Sequence, residues 1–159
     1  MTRMEDDVGT KASALSLRFG SPVHGWLEVE LIGPEDSSRF IASHVPGDSL
    51  TALAVAACEL VEGIPPRRVT WFLEPAEVAW CFRRIGDDAE VLVQGDAEDL
   101  HRIGVGTVDA IGLLLWRALR RLEVDPAWAD GDAAWLHAFP SGVVAALGAR
   151  LGRRPARGR

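Results

Sequence analysis

The run His44-Val45-Pro46-Gly47-Asp48-Ser49-Leu50 sets a serine directly after a glycine and a carboxylate, where an alternating segment gives way to a helical period. A serine at such a junction attacks an ester carbonyl when a histidine takes its proton and fixed donors hold the oxyanion. The same Asp-Ser pair has a second use. Either side chain can accept from a free N–H of the first helical turn and so cap a helix.

Gly47-Asp48-Ser49-Leu50 resembles the first block of the GDSL esterase/lipase family, over four or five residues of the 159. The resemblance implies a nucleophile at Ser49, a strand just before the block, a glycine and an asparagine completing the oxyanion site, and a late Asp-x-x-His. The chain contains no asparagine, and its closest spacings, Asp99 with His101 and Asp132 with His137, are two and five residues. Ser49 therefore lacks its machinery, and the expected role of Asp48 or Ser49 is the cap.

Other chemistry is equally thin. His24, His44, His101 and His137 fall in no His-x-His or His-x-x-x-His spacing, and Cys58 and Cys81 in no Cys-x-x-Cys, so no metal set is expected. The two cysteines sit in apolar segments and are expected as small buried hydrophobes, with a bridge between them left open. Asp96, Glu98, Asp99 and His101 lack the glycine and distal glutamate of a calcium loop and are expected as a solvated acidic turn. In Gly104-Val105-Gly106-Thr107-Val108-Asp109, aspartate stands where a dinucleotide loop needs its third glycine, so no phosphate cradle and no cofactor is expected. The residues expected to face a partner are Glu74 and Glu77 at one hairpin tip, Asp87 and Asp88 at another, and Trp128 and Trp135 in the loop-rich C-terminal part.

Composition bounds the class. A hydrophobic content of 48% and a charged content of 25% are those of a folded domain. The start is polar and acidic, and no apolar run approaches the roughly 18 residues of a membrane span, so a cytoplasmic location without a membrane partner is expected. Of 17 basic residues, Arg153, Arg154, Arg157 and Arg159 lie in the last seven, leaving residues 1–152 with 13 basic against 23 acidic, a net of −10. Such a body repels nucleic acid and attracts basic partners.

The elements that must position these residues follow from periodicity. "ALSLRFG", "GWLEVELIG" and "SRFIASH" alternate as three strands, with Leu27, Val29 and Leu31 on one face and Trp26, Glu28 and Glu30 on the other. Leu50, Leu53, Ala57, Leu60 and Val61 define a helix that Gly63 and Pro65-Pro66 stop. Three more strands carry Val69-Trp71-Leu73, Val78-Trp80-Phe82 and "AEVLVQG". The acidic loop "DAEDLHRIGVG" precedes a Thr107-capped helix along Val108, Ile111, Leu115, Leu119 and Leu122, whose stripe Leu113, Leu114 and Trp116 widen almost to the full circumference. "DAAWLHAF" and "SGVVAALGARL" read as two lesser helices.

The expected fold is α+β, a mostly antiparallel sheet of about six strands in the order βββα-βββα-αα with helices on one face. Residues 1–152 form one domain with a mobile start over 1–11, and 153–159 a disordered Arg-rich tail. This order of elements resembles small bacterial domains that include the immunity proteins of toxin systems, which implies a basic toxin or nuclease as partner. The expected function is a non-catalytic protein-binding domain whose acidic surface engages a basic protein. The alternatives are a small-ligand binder or enzyme with a pocket lined by Trp71, Trp80 and Trp116, and a homodimeric structural subunit.

Overall fold

The computed structural model describes residues 14–96 and 99–153. The expectations for residues 1–11, for the tail beyond Arg153 and for Glu98 lie outside them. The fold is α+β: one seven-stranded antiparallel sheet whose strands lie side by side in chain order. The strands are β1 (Ser16–Phe19), β2 (Trp26–Ile32), β3 (Ser37–Ser43), β4 (Val69–Phe72), β5 (Glu77–Ile85), β6 (Asp88–Gly95) and β7 (His101–Thr107). Helix α1 (Ser49–Glu62) crosses from β3 to β4, α2 (Val108–Glu123) follows β7, and α3 (Ser141–Arg153) ends the described chain. No helix among the described residues is long and apolar enough to cross a membrane.

Alternation decides which face is covered. Leu27, Val29 and Leu31 of β2 are buried under the helices, while Trp26 and Glu28 between them are exposed on the outer face. Trp71 of β4 and Trp80 of β5 face the helices too, fully buried with ring centroids 5.0 Å apart. Phe40 of β3 closes against both, at 5.6 and 6.0 Å. Neither indole N–H has an acceptor among the described residues, so the pair stabilises through buried area and ring contact. β3 and β4 meet only at Ser43 and Phe72, because α1 is inserted between them.

α1 forms as its sequence requires. Asp48 caps it by accepting from the Thr51 N–H, and Gly63 ends it in the left-handed conformation at φ 82°. Leu50, Leu53, Leu60 and Val61 are buried on its inner side. α2 is narrower than its composition implies: Ile111, Leu115, Leu119 and Leu122 are buried, whereas Leu113, Leu114 and Trp116 are half-buried and Arg117, Arg120 and Arg121 exposed. The helix is amphipathic, touching α1, α3 and both β1 and β7.

Two expectations are corrected. The stretch expected to end an acidic loop is the seventh strand, since His101–Thr107 pairs with β6 from Thr107 opposite Asp88 to His101 opposite Val93. Its glycines conceal it: glycine lowers strand propensity, yet a Cβ at Gly104 would stand 2.8 Å from the Leu15 side chain and 3.1 Å from Pro34. The "DAAWLHAF" segment is not an α-helix either. A 3-10 helix runs over Pro126–Ala134, and the chain continues irregularly to Phe139, with Leu136 at φ 66°.

The sheet curls until the β2–β3 turn rests on its last strand. The turn after β2, Gly33 to Asp36, lies on β7, where the Glu35 N–H donates to the Ile103 carbonyl at 3.2 Å. Arg102 holds Glu35 at 2.8 Å and Glu90 at 3.4 Å, and Glu90 also accepts from Arg83 at 2.7 Å. His101 Nε2 lies 3.1 Å from Asp36 Oδ2. The Glu35 carboxylate raises the Arg102 guanidinium above its ordinary pKa, and Glu90, 8% exposed, is neutralised from two sides.

Both cysteines are free thiols. Cys58 is buried on α1 beside Val143 and Arg150 of α3, and burial pushes its thiol pKa up. Cys81 is half-buried between Trp80 and Phe82, hence on the outer face.

A Cβ at Gly33 would fall 2.2 Å from the Ile103 carbonyl oxygen, whereas one at Gly142 meets nothing within 4 Å. Gly33→Ala is therefore expected to cost about 1–3 kcal/mol by overpacking. Gly142→Ala in α3 should be neutral or stabilising by up to about 1 kcal/mol. Urea denaturation of the two variants measures this, and equal effects would contradict the closure.

Candidate functional site

The residues that could have done acyl chemistry are spent on structure. Ser49 is 1% exposed, and its hydroxyl donates to the Thr70 carbonyl at 2.7 Å, tying α1 to β4. It is not the cap; Asp48 is, accepting from both Thr51 N and Thr51 Oγ1, the latter at 2.6 Å. The same carboxylate accepts from the indole N–H of Trp135 at 3.0 Å. Among the described residues no imidazole hydrogen-bonds Ser49, and its proton is committed to the Thr70 carbonyl.

Two histidines that are remote in sequence do come together. His44 and His137 have ring centroids 6.2 Å apart, with Trp135 within 6.5 Å of each. Each imidazole is committed to a backbone carbonyl: His44 Nδ1–H donates to Gly25 at 3.2 Å and His137 Nε2–H to His44 at 2.8 Å. These bonds lace the β1–β2 turn, the α1 entry and the segment after the 3-10 helix together. Among the described residues no group of histidine, cysteine and carboxylate side chains is placed to hold a metal.

The residues expected to face a partner separate into three places. Trp135, expected as an exposed contact, is fully buried, held by Asp48. Trp128 is half-buried with its ring edge-on to Phe139 at 5.3 Å, also a packing role. Asp87 and Asp88 stand at the far end of β5 from Glu74 and Glu77, roughly 25 Å away at strand rise. The six do not form one surface.

Glu74 and Glu77 instead join residues that the sequence did not single out. The strand registers place Trp26 opposite Ser43, Ser43 opposite Phe72 and Phe72 opposite Glu77, and the Glu77 N–H donates to the Asp96 carboxylate at 3.2 Å. This row crosses four strands on the outer face and reaches Asp96, just past the end of β6. One row inward, Ile41 lies opposite Glu28, diagonal to Trp26 at about 7 Å. Trp26 is 39% and Ile41 54% exposed, with Val23 and Val45 exposed at the same end. Among the described residues none of Glu28, Glu74 and Glu77 has an ion-pair partner, whereas Glu30, next inward, is bridged to Arg39 at 3.6 Å.

The result is an exposed apolar pair, Trp26 and Ile41, separated by buried Ser43 from half-buried Phe72, beyond which stand Glu74, Glu77 and Asp96. A shallow groove of about 440 Å³ adjoins it, bounded by Arg18, Glu28, Arg39 and Ile41. The alternation of Trp26 with Leu27 marked Trp26 as outward-facing in the sequence. The position of Phe72 depends on a register carried across α1. No family model matches the chain, and no curated protein or solved structure shows significant similarity to it.

Asp48→Ala removes a cap and a buried charge-assisted bond to Trp135, and should cost about 3 kcal/mol. Ser49→Ala loses one neutral bond, about 1 kcal/mol. Urea denaturation should rank them so, and neither variant should alter hydrolysis of p-nitrophenyl acetate. An esterase activity abolished by Ser49→Ala would contradict the structural role.

Proposed function

We propose that the chain is a non-catalytic protein-binding domain that engages a basic partner through the acid-rimmed apolar pair on its outer sheet face. The observation that carries this reading is the exposure of Trp26 and Ile41 side by side, between unpaired Glu28 and the carboxylates of Glu74, Glu77 and Asp96. Aromatic and aliphatic side chains exposed together on a rigid sheet serve as anchors that a partner desolvates. The surrounding carboxylates orient a basic surface and raise its association rate. The net −10 of residues 1–152 extends that attraction beyond the contact.

The immunity-type role is the specific form of this reading, with a basic toxin or nuclease seated on that pair. A small-ligand pocket lined by Trp71, Trp80 and Trp116 finds less support. The first two are sealed in the core, and Trp116 lies against Gly148 at the α2–α3 contact. A homodimer would use the same outer face.

Affinity capture by the tagged chain should recover a basic protein that is released at about 0.5 M salt. Trp26→Ala/Ile41→Ser should weaken that complex roughly tenfold or more at an unchanged melting temperature. A complex indifferent to the double variant contradicts the proposal. A dimer seen by light scattering and broken by the same variant would replace the basic partner with a second copy.

A further inference from the structure

β1 is an edge of the sheet, and its unpaired side opens onto α2. The Gly20 N–H donates to the Glu28 carbonyl at 2.9 Å, and the register runs from Phe19 opposite Val29 to Ser16 opposite Ile32. Alternation then turns the backbone groups of Arg18 and Ser16 toward β2 and those of Leu17 and Phe19 outward. Two N–H and two C=O groups are thus presented by a strand without a second neighbour.

A groove follows this edge, about 580 Å³ beside Leu15 and about 320 Å³ beside Phe19, the two parts sharing Leu17, Arg18, Ala118 and Arg121. Its helical wall carries half-buried Leu113 and Leu114, the residues that widen the apolar stripe of α2 beyond what the core uses. Arg117 and Arg121 line it from the helix, both exposed and without an ion-pair partner among the described residues, while Arg18, opposite Glu30, turns its side chain to the outer face. Asp125, at one end, is already occupied by Ser21 Oγ and the Ala127 N–H, each at 2.8 Å. In a chain with an excess of acid, two unpaired arginines on the helix beside one free strand edge mark the charge of the occupant.

We propose that this groove accepts an extended acidic segment of another protein as an eighth strand, antiparallel or parallel to β1. Backbone bonds to Leu17 and Phe19 supply the pairing, Leu113 and Leu114 receive the apolar side chains of one face, and the arginines take the carboxylates. A four-residue edge limits indiscriminate strand addition, and the arginines select by charge. The site is separate from the outer-face pair and does not depend on it.

The probe is a fluorescein-labelled peptide of about eight alternating valine and glutamate residues, enough for one strand, titrated against the full chain by anisotropy. Its comparators replace glutamate with lysine, or place proline at two central positions to remove amide donors. The acidic peptide should bind saturably, and both comparators roughly tenfold or more weakly. Arg117→Glu/Arg121→Glu should weaken binding to a similar degree, at an unchanged melting temperature and without affecting capture through Trp26 and Ile41. Amide exchange at Leu17 and Phe19 should slow only when the acidic peptide is bound. Absence of binding, equal binding of the lysine peptide, or slow exchange at both amides in the free protein would overturn the proposal.

Discussion

The contact between the turn after β2 and strand β7 is the constraint on which the architecture rests. Seven strands in simple chain order would otherwise form an open ribbon with two distant edges. The Glu35 N–H bonded to Ile103, and Arg102 held between Glu35 and Glu90, bring those edges to one side of the molecule. Only there can α2 touch β1, β6 and β7 at once. The Arg102–Glu35 ion pair is itself exposed and individually weak. What makes the closure specific is steric: Gly33 and Gly104 are positions where no side chain fits.

Charge is divided accordingly. Much of the acid is consumed internally, as Glu90 between two arginines, Glu59 with Arg67, whose bond lowers the carboxyl pKa, and Asp48 as a cap. Among the described carboxylates without an ion pair, Glu28, Glu74 and Glu77 lie on the end of the outer face where Trp26 and Ile41 are exposed. Arg18, Arg117 and Arg121, on β1 and α2, are among the described arginines without an ion pair. A protein whose net charge is negative thus offers surfaces of opposite sign, each adjoining apolar side chains, while Ser49, His44 and His137 are bonded into the frame.

Much of this was legible in the sequence, for reasons that also explain the failures. The inward and outward faces of β2 follow from strict alternation, and α1 from its cap, stripe and terminal glycine. β7 was hidden because Gly104 and Gly106 stand where hydrophobic residues would have declared a strand; the reason for a glycine at 104 lies in Leu15 and Pro34, almost ninety and seventy residues earlier. Trp135 reads as exposed from its loop-rich surroundings, and its burial rests on a bond to Asp48, 87 residues earlier, that leaves no local pattern. The outer-face site was half visible: Trp26 pointed outward and Glu74 and Glu77 marked a tip, but their adjacency passes through Ser43 and Phe72, the single pair that joins β3 to β4. Pairing across an inserted helix leaves no local pattern.

Native-state amide exchange at Glu35 tests the closure, the central claim, most directly. In an ordinary hairpin turn that N–H faces water and exchanges freely. With its hydrogen bond to Ile103 it should be protected, and Gly33→Ala should release it while the Leu27 and Val29 amides of the same strand keep their protection. Unprotected exchange at Glu35 in the wild-type chain would contradict the account, leaving the β2–β3 turn free of β7.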